Sequence, residues 1–318
     1  MPPLRIGAVF PGQGSQFVGM ANDIVRSSPA AAELFARAQR ELGYDLLAIT
    51  RDGPDELLLE TRYAQPAIFV VNVALYAALG GALRPIVSAG HSFGEYCSLT
   101  IADSLTFESA LALVNARGCA MQAAAQLAPG GMSAILGLDE QTVSELVEQT
   151  RSESGGRVRS ANFNAPTQIV VSGDLDAVRR VGEKALAAGA VRVVALNVSG
   201  AWHSELMEPA RVHFAPAATQ ARIEMPRFTV VSNVDALPYA DTARIRANLV
   251  RSITEEVRWH QTMLRMFEER LDLIVEFGAQ AVLAPMTKRI PGAPAVMHVG
   301  DSLGVAKLAQ KIGASITA

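Results

Sequence analysis

Gly90-His91-Ser92-Phe93-Gly94 has the form G-x-S-x-G, in which a strand runs into a sharp turn at a serine and a helix leaves it. Residues 85–89 are predicted to form a short buried strand, and residues 95–101 the start of a helix. Glycines on both sides of Ser92 suit this turn, because a side chain at either position would collide with the neighbouring strand and helix. The pentapeptide also occurs by chance in unrelated sequences, but its flanks favour a turn that exposes the Ser92 hydroxyl at the end of a sheet.

Strand and helix signals alternate along most of the 318 residues. Strands are predicted at 6–10, 85–89, 228–232 and 273–276, and a long apolar helix at 106–125. Alternation of this kind is typical of a parallel sheet covered by helices. The sequence therefore predicts an α/β fold with a mostly parallel sheet.

A small unit interrupts this pattern between residues 130 and 197. Its strand signals lie at 131–138, 157–163, 168–171 and 191–198, and its helix signals at 140–148 and 174–188. The order β-α-β-β-α-β is the ferredoxin-like arrangement. We therefore expect a large subdomain made of 1–129 and 198–318, with a ferredoxin-like small subdomain of 130–197 inserted into it.

Composition excludes several classes of function. The formal net charge is −3 and there is no basic stripe, which argues against nucleic-acid binding. No apolar run has the length of a membrane span, and no signal peptide is recognised at the N-terminus. The two cysteines, Cys97 and Cys119, make neither a disulfide framework nor a metal site. We expect a monomeric cytoplasmic protein with no bound metal, no nucleic-acid partner and no membrane association.

A serine nucleophile needs a general base, usually a histidine. Among the five histidines, His203 lies in the small-residue loop 198–204 that follows the last strand of the insert. Loops that leave a strand end commonly carry catalytic groups, so we predict His203 as the base, with a structural histidine as the alternative. His91 is better placed to support the turn, and the others suit packing or surface positions. No acidic residue is evident as a partner for the histidine.

Two further positions suggest chemistry. The backbone N–H of Gln13, in the loop after the first strand, could join that of Phe93 to form an oxyanion hole. That loop lacks the Lys-Ser/Thr of a phosphate loop and the third glycine of a dinucleotide fingerprint. Arg117 lies within an apolar helical stretch, where a charge is costly unless it is paired. It pairs either with a structural carboxylate or with an anionic substrate, and the residues alone leave both open.

Taken together, these motifs resemble the malonyl-CoA:acyl carrier protein transacylases and the related acyltransferase domains of polyketide synthases. The resemblance covers residues 5 to 310, and the motifs that carry it are Phe10-Pro11-Gly12-Gln13-Gly14-Ser15-Gln16, Gly90-His91-Ser92-Phe93-Gly94-Glu95-Tyr96, Arg117-Gly118 with Met121-Gln122, Asn162-Phe163-Asn164-Ala165-Pro166, residues 199–204, Asn233-Val234 and Thr287-Lys288-Arg289. It implies a hydrolase-like large subdomain with a ferredoxin-like insert.

The resemblance also implies a ping-pong reaction. Ser92 would take the malonyl group from malonyl-CoA with His203 as base, and the phosphopantetheine thiol of an acyl carrier protein would then attack the ester. Arg117 would hold the malonyl carboxylate in a two-pronged contact. Asn162 and Asn164 would border the substrate. Coenzyme A enters as a thioester substrate, and no cofactor is expected to be bound.

Three positions and one short segment depart from the family pattern. Many members have glutamine where this chain has Ser252, and the resemblance implies that the backbone carbonyl at this position orients His203. Phe93 and Trp202 are bulkier than the residues usual beside the catalytic serine and histidine, and the resemblance places Trp202 against the substrate. Both should crowd the space of an α-methyl branch, which favours malonyl over methylmalonyl. Residues 276–280 replace the usual Gly-Pro-Gly segment near the site entrance.

Other hypotheses remain open. The same fold could move a different acyl group between carriers in polyketide biosynthesis, or hydrolyse stalled acyl carriers. An ordinary serine esterase would use Arg117 structurally and bind no carrier. A catalytically idle docking protein is disfavoured by the intact Ser92, His203 and Gln13. A malonyl transferase with no attached carrier or ketosynthase segment suits both fatty-acid synthesis and action in trans on a polyketide assembly line.

Overall fold

The computed structural model describes residues 3–314, which form nine strands and fourteen α-helices. The strands β1–β9 are Ile6–Phe10, Val87–Gly90, Gly131–Leu136, Val158–Ala165, Gln168–Gly173, Arg192–Ala195, Thr229–Val231, Leu273–Phe277 and Ala295–Val299. The helices α1–α14 are Asn22–Ser27, Pro29–Leu42, Leu46–Asp52, Asp55–Leu59, Thr61–Ala77, Gly94–Ile101, Phe107–Leu127, Glu140–Ser154, Leu175–Ala187, Glu208–Gln220, Thr242–Arg251, Trp259–Phe267, Leu283–Thr287 and Ser302–Lys311. Across the described range, no helix is at once long and apolar enough to cross a membrane.

The larger sheet has five strands in the order β7-β2-β1-β8-β9, and every neighbouring pair is parallel. All residues of β1, β2 and β8 are buried. Strands that are covered by helices on both faces need apolar residues throughout, which is why these segments are nearly continuous apolar runs. The predicted α/β class with a mostly parallel sheet is confirmed.

The smaller sheet has four antiparallel strands in the order β4-β5-β3-β6. Together with α8 and α9 it has the predicted β-α-β-β-α-β order, and this topology is ferredoxin-like. Apolar residues of both helices and of the sheet form its own core, including Ile135, Val147 and Val181. The unit spans Gly131–Ala195, within the predicted insert, and the domain boundaries at 129/130 and 197/198 stay predictions.

One strand that was not predicted and the shifted ends of two elements are among the differences from the sequence prediction. Strand β9 was not predicted, because it is a short edge strand whose residues are mostly half-exposed and show no alternation. Helix α8 runs six residues beyond the predicted end at 148, through a polar segment, and stops where Gly155 adopts a positive φ of 64°. Strand β6 ends at Ala195 instead of residue 198, and it is also an edge strand, which pairs with β3 alone.

Candidate active site

Ser92 lies on the sharp turn between β2 and α6. Its φ of 53° is in the left-handed region, which costs a non-glycine residue about 1–3 kcal/mol and persists only where surrounding contacts enforce it. A Cβ on Gly90 would lie 1.9 Å from the carbonyl carbon of Gly94, and one on Gly94 would lie 2.4 Å from the carbonyl oxygen of Phe10. The requirement for glycine on both sides of the serine is therefore steric, as predicted.

His203 lies directly opposite the serine. Its Nε2 is 2.8 Å from Ser92 Oγ, and its Nδ1 is 3.0 Å from the backbone carbonyl of Glu255. Since a carbonyl only accepts, Nδ1 carries the proton, and Nε2 is left to accept the Ser92 hydroxyl proton. A main-chain oxygen here holds the imidazole in the orientation that a carboxylate provides in a Ser-His-Asp triad.

The carbonyl that bonds His203 Nδ1 at 3.0 Å is that of Glu255, which the sequence did not indicate, and the role predicted for the Ser252 carbonyl stays a prediction. Helix α11 ends at Arg251, and the chain then makes a further turn in which the Glu255 N–H donates to the Arg251 carbonyl at 2.9 Å. This turn presents the Glu255 oxygen to the imidazole, and the Ser252 carbonyl adds a weaker interaction.

The environment keeps His203 in its basic form. Burial, the positive charge of Arg117 and the neighbouring His91 lower the pKa of His203 to about 3, while the two backbone carbonyls act in the opposite direction. The imidazole is therefore neutral throughout the physiological range. It is able to accept a proton from Ser92 without first losing one to solvent.

Arg117 reaches the serine from helix α7 with 1% of its surface exposed. It donates from Nη1 to Gln65 Oε1 at 2.7 Å and from Nη2 to Ser92 Oγ at 3.1 Å, whereas Nε has no partner. Burial lowers the pKa of this guanidinium. Among residues 3–314 no carboxylate forms an ion pair with it, so the structural-carboxylate hypothesis lacks a partner.

The loop after β1 lies against the serine turn. A Cβ on Gly12 would be 2.8 Å from the His91 carbonyl oxygen and 3.5 Å from Ser92 Cβ. The Gln13 side chain is held by Thr61, whose hydroxyl donates to its Oε1 at 2.8 Å. Within the described part of the chain, the backbone amides of Gln13 and Phe93 donate to no protein acceptor. Two free amides at this place are what an oxyanion hole requires.

Strand β4 contributes a polar wall. Asn162 and Asn164 are two residues apart and both are directed to His91, whose Nε2 is 2.8 Å from Asn164 Oδ1 and 3.4 Å from Asn162 Nδ2. Burial lowers the pKa of His91 to about 4, against a smaller opposite effect of Asn164. The Phe163 N–H donates to the Val257 carbonyl at 2.9 Å, which connects β4 to the segment that contains Glu255.

A cavity of about 450 Å³ between the two sheets collects these groups. The small sheet supplies apolar lining through Met132, Ala134 and Val170, and α13 adds Leu283 and Met286. Of the residues predicted from the sequence, the cavity brings together Gln13, Ser92, Phe93, Arg117, Asn162, Asn164, Trp202 and His203. Ser252 does not line it. A half-buried nucleophile, a neutral base, free amides and an uncompensated cation therefore share one largely apolar cavity.

Residues 8–293 match the family described as acyl transferase domain. The chain belongs to this family. It is 40% identical to the malonyl CoA-acyl carrier protein transacylase of Salmonella typhimurium over 284 residues, covering 89% of this chain and 91% of that protein.

Solved structures give the same assignment. The chain aligns with FabD of Acinetobacter baumannii at a TM-score of 0.92 and 35% identity, over 98% of each chain. It aligns equally well, with a TM-score of 0.92 and 36% identity over 96% of this chain and 99% of the other, with a malonyl-transacylase solved in complex with a type II polyketide synthase acyl-carrier protein. The family resemblance predicted from the motifs is confirmed.

Sequence reasoning missed two groups of this acyl transferase site. Gln65, which holds Arg117, is a polar residue in the apolar run of α5, and that anomaly was a usable signal. Glu255 offered no signal, because it acts through a carbonyl oxygen that every residue has.

Proposed function

We propose that this protein transfers a malonyl group from malonyl-CoA to the phosphopantetheine thiol of an acyl carrier protein through an ester on Ser92. The observation that carries this proposal is the uncompensated guanidinium of Arg117, 3.1 Å from the Ser92 hydroxyl. A carboxylate on a short acyl group attached to that oxygen lies within reach of the guanidinium. An acetyl group would leave the buried cation unpaired, which is costly.

In the first half-reaction, Ser92 Oγ attacks the thioester carbonyl of malonyl-CoA and its proton passes to His203 Nε2. The negative charge that develops on the carbonyl oxygen is held by the free amides of Gln13 and Phe93. The C–S bond then breaks, and the coenzyme A thiolate leaves with the proton from His203. The malonyl ester of Ser92 remains, with its carboxylate on Arg117.

The second half-reaction runs the same steps in the opposite direction. The phosphopantetheine thiol of the carrier gives its proton to His203 Nε2, and its sulfur attacks the ester carbonyl. The same two amides hold the oxyanion. As the C–O bond breaks, Ser92 Oγ takes the proton back from His203, and malonyl-carrier protein is released.

The relatives support both substrates. The Salmonella relative is named for malonyl-CoA and acyl carrier protein, and one structural neighbour was solved with its carrier bound. A polyketide biosynthesis protein, ThaF of Burkholderia thailandensis, is 39% identical over 89% of this chain but only 24% of its own length. The carrier's pathway, the monomeric state and the cytoplasmic location stay predictions.

Intact mass spectrometry after incubation with a panel of acyl-CoAs tests the proposal. Malonyl-CoA should add a malonyl increment, and holo-acyl carrier protein should then remove it and gain the same mass. Retention of a larger acyl group, or release of free acid without a carrier product, would instead support the other transferases or the esterase.

Removing the Arg117 charge should change the choice of acyl group. Arg117→Ala is expected to lose malonyl transfer by about 10²-fold or more, because a buried charge-assisted contact is lost, while acetyl transfer is kept or gained. Arg117→Lys serves as the matched control and should rescue poorly, since lysine lacks the planar fork. Acylation rates with malonyl-CoA and acetyl-CoA measure this. Equal loss with both donors and a lowered Tm would make Arg117 structural.

Trp202 and Phe93 should disfavour a branched acyl group. Both are buried and line the cavity, with exposed fractions of 5% and 1%. Trp202→Ser, alone or with Phe93→Gln, is expected to narrow the preference for malonyl over methylmalonyl by about 1–3 kcal/mol, the discrimination that one methylene provides. Competition between the two acyl-CoAs gives the ratio of kcat/KM. If kcat/KM falls equally for malonyl-CoA and methylmalonyl-CoA, the two aromatic rings contribute only to core packing.

A further inference from the structure

Asn233 makes contacts with the nucleophile that the reaction scheme does not use. It lies just after β7, which pairs with β2, so the sheet brings it beside the serine turn. Its Oδ1 accepts the Ser92 N–H at 3.0 Å, and its Nδ2 donates to the Ser92 carbonyl at 3.1 Å. One side-chain amide thus binds both backbone groups of the catalytic serine.

Glu95 and Tyr239 set the orientation of that amide. The Asn233 Nδ2 donates to Glu95 Oε2 at 2.6 Å, and the Tyr239 hydroxyl donates to Glu95 Oε1. All of these side chains are buried. A rotated amide would turn its oxygen toward the Glu95 carboxyl and the Ser92 carbonyl, and its N–H groups toward the Ser92 N–H. Only the observed orientation satisfies every group.

The contact also bears on the oxyanion hole. The Ser92 carbonyl and the Phe93 N–H belong to one planar peptide unit and point in opposite directions. Holding the Ser92 oxygen therefore aims the Phe93 N–H, and the Glu95 N–H assists by donating to the same oxygen at 3.2 Å. The bond from the Ser92 N–H to Asn233 holds the peptide unit that precedes Ser92, so both peptide units around the residue with positive φ are fixed.

We propose that Asn233 is a positioning residue, which fixes Ser92 in its reactive backbone conformation and aims the Phe93 N–H at the oxyanion, with Glu95 and Tyr239 setting its amide. The proposal rests on Ser92 being the nucleophile of the proposed function. Removal of Asn233 should leave acyl-CoA binding intact and slow the chemistry at the serine.

Single-turnover acylation of Asn233→Ala tests this. The rate is expected to fall by about a hundredfold, because small misplacement of a reacting group costs that much, while KM for malonyl-CoA stays close to wild type. Asn248→Ala is the matched control: Asn248 is also buried, and it donates to Ser232 Oγ and Asp235 at 3.0 and 2.9 Å. It should lose comparable stability and keep its acylation rate.

A fluorophosphonate probe separates this proposal from the proposed function. Ser92 Oγ attacks the phosphorus and fluoride leaves, so labelling needs the nucleophile and the oxyanion hole but no particular acyl group. Asn233→Ala should label slowly even if wild type takes no malonyl group. Should Asn233→Ala fail to fold, Asn233→Leu fills the same space and is expected to label as slowly. The proposal would be overturned if the Asn233 variant that folds were labelled at the wild-type rate. It would also be overturned if Asn248→Ala were labelled as slowly as the Asn233 variant.

Discussion

Ser92→Ala should form no malonyl ester and should lose transfer by about 10⁴–10⁶-fold, the cost of deleting a serine nucleophile whose partners act as a unit. The variant should fold, because alanine carries the same Cβ into the φ of 53° and leaves Arg117 bonded to Gln65. Intact mass after incubation with malonyl-CoA measures the ester, and transfer to holo-carrier measures the activity.

Ser88→Ala is the control for this variant. Ser88 is a buried serine on β2, the strand that leads into the Ser92 turn, and its hydroxyl donates to the Ala8 carbonyl at 2.9 Å, away from the cavity. It should lose some stability and keep its malonyl ester. A malonyl increment on Ser92→Ala that survives digestion and maps to another residue would place the nucleophile elsewhere.

His203→Ala should slow acylation by about 10²–10⁴-fold, the contribution of a positioned general base. The loss should appear in kcat/KM for malonyl-CoA with an unchanged Tm. His298→Ala provides the control, since His298 Nε2 bonds the Gly278 carbonyl outside the cavity. A near-normal rate for His203→Ala would transfer the role to another base, with His91 the next candidate.

The pH profile offers a second measure of the same group. Because kcat/KM reports the free enzyme and the pKa of His203 is lowered to about 3, protonation of His203 should cause no fall in kcat/KM as the pH drops from about 8 to about 5. An ordinary imidazole would be half protonated near pH 6.5. Burial raises the pKa of Glu95 to about 7, so Glu95→Gln must be measured in parallel. A fall centred near 6.5 that persists in Glu95→Gln would contradict the lowered pKa.

Elements with strong local signals could be predicted from the sequence. Strands β1, β2 and β8 are nearly continuous apolar runs, and α7 has apolar residues at helical spacing, so burial and period agree at each. Edge strand β9 was not predicted, because its half-exposed residues show neither a continuous apolar run nor a regular period. The C-terminal end of α8 was not predicted either, because it is polar and has no apolar period.

Some groups of the candidate site could likewise be predicted from local sequence, and others could not. The serine turn could be predicted because its geometry requires glycine at positions 90 and 94. Arg117 could be predicted because it places an unpaired charge in an apolar helix. The Glu255 carbonyl could not be predicted, because the choice among successive carbonyls depends on how the chain turns after α11.

The sequence by itself determined the α/β alternation, the ferredoxin-like insert, the strained serine turn and the family, since these depend on the type and order of neighbouring residues. The tertiary structure alone decided that Asn233 binds both backbone groups of Ser92, that Gln65 holds Arg117 and that Glu255 orients His203. Each of those contacts joins residues more than 50 positions apart or acts through main-chain atoms. Pairing of that kind is set by the register and crossing of packed elements, which local residue preferences do not specify.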